Sequence, residues 1–219
     1  AGALLAAAAV LVRQPGLLIP AGVLTGLLFT RRLRVDARSI GLAALVAAPV
    51  GGWGATFDLA NSQGEFGLRL AYGSATSKAS VNLYTLLPRW GVFLVRPGKT
   101  SPFGVSFVLE GILSVADAEN TGAEIGFTPM VKVSARLFPG VMAFIEGGAG
   151  IISESFNSPA VPHAFNFTPQ IGAGFDIALT SRLAFTAAYR FRHSSNAGIY
   201  KENPAFNVNF VQTGLTYFY

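Results

Sequence analysis

Between Phe165 and Leu179 the chain changes character at every step. The odd positions are Phe165, Phe167, Pro169, Ile171, Ala173, Phe175, Ile177 and Leu179, and the even ones Asn166, Thr168, Gln170, Gly172, Gly174, Asp176 and Ala178. A period of two sends alternate side chains to opposite faces of an extended backbone, so this is a β-strand with one apolar and one polar or tiny face. The alternation recurs, separated by turn residues, over 65–74, 79–88, 103–115, 123–138, 141–153, 164–179, 183–195 and 207–219. Eight strands are therefore expected. Several exceed the length that a tilted strand needs to cross a hydrocarbon layer, and no 18-residue apolar run beyond residue 65 competes as a spanning helix.

The charges assign the faces. By parity Arg69, Glu110, Lys132, Arg136, Glu146, Asp176, Arg190 and Arg192 share the polar side, while Val105, Phe107, Leu109, Val131, Val133, Ile145, Phe175 and Ile177 share the other. Inside a closed sheet the charges pair; facing lipid, each would be costly. A soluble eight-stranded barrel has the reverse polarity, with an apolar lumen and a charged exterior. Only 12% of the residues are charged and 51% are hydrophobic, which suits an exterior bathed in lipid. The fold class expected is all-β: an eight-stranded antiparallel transmembrane β-barrel of the outer membrane, spanning residues 56–219. In the last strand Val211, Thr213, Leu215, Tyr217 and Tyr219 share a face, with aromatics at the chain end where an interfacial girdle sits.

The net charge of +5 does not point to nucleic acid. Residues 1–55 carry Arg13, Arg31, Arg32, Arg34 and Arg38 against Asp36 alone, so the barrel region is close to neutral. Arg31–Arg38, the apolar stretch 40–50 and the small residues after it read as an export signal over 31–55, cut near Ala48 or Gly54. Residues 1–30 hold two apolar runs broken by Pro15 and Pro20; they are left without a function, as leader sequence that the mature protein need not contain. The chain has no cysteine, which excludes disulfides, thiolate catalysis and zinc–cysteine sites. The glycine clusters at 147–150 and 172–174 precede no helix, so they read as close packing inside a narrow barrel rather than phosphate loops.

Chemistry concentrates at one place. Along the seventh strand Leu183, Phe185, Ala187, Tyr189 and Phe191 face lipid, and the next two positions of that stripe are His193 and Ser195. Neighbouring i and i+2 side chains bring an imidazole within plausible reach of a hydroxyl, and an adjacent base is how a serine becomes a nucleophile. Pairing strands seven and eight about residue 200 sets Tyr189 against Val211, Phe185 against Leu215 and Leu183 against Tyr217. The same register sets Asn207 opposite His193. Serine, histidine and an orienting polar group then form a triad that faces the membrane. A solvated strand end carrying ordinary polar residues is the alternative at this stage. Ser194 is expected to turn into the lumen, and His163 to be a loop histidine without a metal.

The run His193-Ser194-Ser195-Asn196-Ala197-Gly198, preceded by Tyr189-Arg190-Phe191-Arg192 and followed by Asn203-Pro204 and a closing strand, resembles the C-terminal signature of the PagL family of outer-membrane lipid A 3-O-deacylases. The resemblance implies His193 as base, Ser195 as nucleophile, and Asn196 and Gly198 at the oxyanion site. It implies lipopolysaccharide as substrate within outer-membrane lipid, with no cofactor and no metal, and is compatible with a homodimer. One position departs: where the family's triad has a glutamate, this chain has Asn207, which orients the histidine without offering a negative charge, so reduced activity is expected. Glu202 is a second candidate for the acid, although its position does not match the strand pairing. A non-catalytic structural or adhesion barrel with a degenerate triad is the competing reading. A small pore is disfavoured because eight strands leave a lumen filled by side chains.

Overall fold

The computed structural model describes residues 55–76, 81–98, 101–156, 163–203 and 206–219. The leader read over 1–30, and the signal read over 31–55 apart from Ala55, lie outside them. Eight strands run antiparallel in chain order: β1 (Gly64–Ala75), β2 (Asn82–Val95), β3 (Phe103–Asp117), β4 (Gly122–Phe138), β5 (Val141–Glu154), β6 (Phe165–Ala178), β7 (Leu183–Ser194) and β8 (Phe206–Phe218). Each pairs with the next, and β1 closes against β8 into a barrel with no open edge. Among the described residues no helix is long and apolar enough to cross a membrane, and the strands take that role.

The alternation becomes inside and outside as expected. Phe107, Leu109, Val131, Val133 and Ile145 lie exposed on the exterior, while Arg69, Glu110, Lys132, Glu146, Asp176, Arg190 and Arg192 are buried in the lumen. Arg136 is only half-buried, because the β4–β5 register slips between Arg136 and Phe138 at the barrel's lower end. The largest departure from the sequence reading is β2, which begins at Asn82 and continues to Val95. Pro88, which lacks an N–H, points outward inside the strand, opposite Leu68 of β1.

That extension brings in Arg89, and the strand ends bring in Glu65, Glu124 and Glu154, all buried. Among the described residues the lumen therefore holds five cations (Arg69, Arg89, Lys132, Arg190, Arg192) against six acids (Glu65, Glu110, Glu124, Glu146, Glu154, Asp176). Glu146 sits at the hub, bonded to Arg69 at 2.7 Å, to Arg89 at 2.7 Å and to Arg190. Glu110 bridges Arg89 and Arg190, and Lys132 joins Glu65 and Asp176 at 2.9 Å each. Burying so many charges is tolerable only because each finds partners. Small residues let the wall close around them: a Cβ added at Gly148 would lie 2.1 Å from the Pro129 carbonyl oxygen.

Both ends are stoppered differently. At the end that holds the chain terminus, residues before β1 fold under the barrel. Phe57 packs edge-on against Phe218 with ring centroids 5.7 Å apart, and Leu59, Met142 and Ala184 complete the cluster. The β4–β5 and β6–β7 connections at this end are short. At the opposite end lie the longer β5–β6 and β7–β8 connections, the asymmetry typical of outer-membrane barrels, with the long loops outside the cell. The candidate residues gather at that outer end.

Candidate active site

Strands β7 and β8 meet in the register read from the sequence: Leu183 opposite Tyr217, Tyr189 opposite Val211, His193 opposite Asn207. The parity of β7 turns Arg190, Arg192 and Ser194 into the lumen, where all three are buried, and leaves His193 half-buried on the exterior. Ser195, half-buried and on the same outward face, continues the strand geometry through a single bridge to Phe167 of β6, with hydrogen bonds of 2.8 and 3.1 Å.

His193 Nδ1 lies 2.7 Å from Asn207 Oδ1. A carboxamide oxygen can only accept, so Nδ1 is the donor of this contact, and in the neutral ring it is Nε2 that keeps the lone pair. The asparagine is itself held. Its backbone carbonyl accepts the N–H of Thr76 at 2.9 Å and the Thr76 hydroxyl at 3.4 Å, so β1 braces the residue that orients the histidine. Thr76 escaped the sequence reading because this contact exists only once β1 closes on β8.

After Ser195 the chain makes a tight turn. The Asn196 carbonyl accepts the Ile199 N–H at 3.1 Å, and Asn196 Oδ1 accepts the Gly198 N–H at 2.9 Å. The two central residues have positive φ, 54° at Ala197 and 81° at Gly198, the pattern of a type I′ turn. Glycine adopts this freely, whereas for Ala197 it costs about 1–2 kcal/mol, strain of the kind held at functional sites. Asn196, buried at 2% exposure, stitches the loop shut: its N–H donates to Asn203 Oδ1 at 2.9 Å and its Nδ2 to the Glu202 carbonyl at 2.7 Å. The N–H groups of Asn196 and Gly198 are thus already engaged within the loop. That of Ala197, between them, has no acceptor among the described residues.

Glu202 turns away from His193. Its carboxylate lies 3.8 Å from His163 Nε2, and the His163 ring stacks on Tyr200 with centroids 4.0 Å apart. His163 is thus a clasp between the β5–β6 and β7–β8 loops, a role that no local sequence signal announces. No group of histidine and acidic side chains among the described residues is placed to hold a metal.

Fold and site together describe a small outer-membrane barrel whose lipid-facing wall carries an imidazole held by Asn207 and, two residues further along the same face, a serine that makes no hydrogen bond to it. The chain matches the model of the family described as lipid A 3-O-deacylase (PagL) over residues 81–216 and belongs to that family; it is a lipid A deacylase barrel of the outer membrane. Among solved structures, the outer membrane enzyme PagL superposes with a TM-score of 0.56 at 19% identity, covering 68% of this chain and 97% of that one. Neisserial surface protein A follows with a TM-score of 0.49 at 11% identity, covering 71% and 97%. At these identities the likeness is one of fold. No curated protein sequence matches the chain.

Proposed function

We propose that this protein hydrolyses the ester at the 3-position of the lipid A sugar, with Ser195 as nucleophile and His193 as general base. Ser195 Oγ attacks the ester carbonyl while His193 Nε2 takes its proton. The C–O bond to the sugar breaks, and the same proton passes to the departing sugar oxygen. Water then attacks the acyl-serine, again with His193 as base, releasing a hydroxy fatty acid and restoring the serine. The chemistry needs no cofactor, and all of these groups come from one chain.

The 2.7 Å contact between His193 Nδ1 and Asn207 Oδ1 carries this reading, because it fixes the tautomer that a base toward Ser195 requires. Asn207 supplies orientation but no negative charge for the imidazolium, so turnover is expected to be slower than with a carboxylate there. Because the Asn196 and Gly198 N–H groups are engaged within the loop, the oxyanion donor of this reading moves from those two residues to the uncommitted Ala197 N–H between them. An exterior site suits a substrate whose acyl chains stay in the bilayer. Residues 31–55 complete the proposal as the export signal.

The test compares lipid A from cells expressing the wild type and Ser195→Ala. The wild type should yield lipid A lighter by one ester-linked hydroxyacyl chain, and the variant none. If both leave lipid A fully acylated while the barrel is folded and at the surface, the competing reading of a non-catalytic barrel replaces this one.

A further inference from the structure

The exterior of the barrel is apolar almost everywhere, yet beside His193 it turns polar. Asn209 of β8 is opposite Ser74 of β1, and Ser74 is opposite Asn82 of β2, so three outward polar residues lie in register across three strands. Asn207, two residues along β8, joins them to His193. At Asn209 this is deeper than ordinary trimming of strand ends, while Ser74 is second from the end of β1 and Asn82 is the first residue of β2. Asn209 is the fourth residue of β8, whereas the fourth residue of β4 is Ile125, and the fourth from the end of β5 is Ile151. On the other side of the site, beside Ser195, the third residue of β6 is still Phe167.

The asparagines share one arrangement. Asn207 Oδ1 faces His193 Nδ1 at 2.7 Å, Asn209 Oδ1 accepts the Tyr189 hydroxyl at 2.6 Å, and Asn82 Oδ1 accepts the Tyr72 hydroxyl at 2.9 Å. In each, a ring takes up the carbonyl, leaving an NH2 group without an acceptor among the described residues. A donor left bare against lipid is unfavourable, so the arrangement calls for acceptors from outside the chain. These outward residues include no lysine or arginine, which argues against a phosphate and for neutral oxygens. At about 4.8 Å per strand, the row from β8 to β2 extends about 10 Å along the wall from the candidate nucleophile's neighbour.

We infer that Asn209, Ser74 and Asn82 form a binding ladder for the acylated sugar itself, receiving its hydroxyl and ester carbonyl oxygens while Ser195 meets the ester to be cut. This rests on the proposed function for the identity of the substrate. The ladder would make the enzyme select a sugar-borne acyl chain over the glycerol-borne chains that surround it.

Binding tests this separately from turnover. Full-length Ser195→Ala protein in detergent is titrated with lipid A and with phosphatidylglycerol by native mass spectrometry, alone and with Asn209→Leu and Asn82→Leu added. Leucine is favourable on a lipid-facing wall, and heat-modifiable gel migration confirms the folded barrel. Lipid A affinity should fall about tenfold with phosphatidylglycerol unchanged, as expected for losing two hydrogen bonds. Asn209→Gln, which keeps a carboxamide, should retain most of it. Undiminished lipid A binding overturns the inference, and so does an equal loss for both lipids, which would make the ladder general interfacial trim. A wild type that binds lipid A through the ladder but never cleaves it would sink the catalytic reading alone.

Discussion

In the proposed mechanism Asn207 decides how good a catalyst this arrangement can be. Its oxygen holds the His193 tautomer but leaves the imidazolium of the transition state without a counter-charge. Asn207→Glu is expected to raise kcat on lipid A by about tenfold or more, since a carboxylate meets the developing positive charge. Near the interface, the added charge costs at most about 1 kcal/mol of barrel stability. A fall in kcat instead would mean that the asparagine serves through its NH2 group. Asn207→Leu removes the acceptor altogether and should lower kcat with little change in KM, measured on purified protein. The pairing of these residues was legible in the sequence, because strand parity and a hairpin centred on residue 200 are both local properties. The bracing of Asn207 by Thr76 was not, since the two are brought together by closure of the first strand on the last.

At the scale of the element, the β7–β8 loop carries Ser195, the proposed nucleophile. Its turn depends on positive φ at Ala197 and Gly198 and on the ties from Asn196 to Glu202 and Asn203. Gly198→Val places a β-branched side chain where the backbone is left-handed, at a cost of about 1–2 kcal/mol or more borne by the loop. Deacylation should drop about tenfold or more while the urea midpoint of the barrel stays within error, because the loop lies outside the hydrogen-bonded wall. The family resemblance pointed to Asn196 and Gly198 but not to what they do for each other: the sequence offers no sign that the Asn196 side chain closes a turn onto Gly198. The His163–Tyr200 stack was hidden for the same reason, joining loops that are distant along the chain. In β2, the expected strand ends at residue 88, which leaves Arg89 out of the expected lumen charges.

Across the whole molecule the usual arrangement is inverted, with charge within and an apolar wall that carries the proposed site. Glu146 is surrounded by Arg69, Arg89 and Arg190, so Glu146→Gln strands buried guanidinium groups and should destabilise the barrel by about 3–5 kcal/mol, read from the denaturant midpoint in vesicles. The lumen is filled: the space left between Arg190, Gln170 and Gln212 is about 10 Å³, room for at most one water. The charges, aromatics and alternation of the sequence foretold this inversion, because lipid outside and paired ions inside leave few other choices. The placement of His193 and Ser195 on the outer wall is the claim on which the function rests. A lipid-tailed fluorophosphonate, which reacts only with an activated serine reachable from the bilayer, tests it most directly when the labelled residue is mapped by peptide mass. Modification at Ser195, lost in His193→Gln, is the predicted result; an unlabelled Ser195 in folded protein, or label carried by the lumen-facing Ser194, would contradict it.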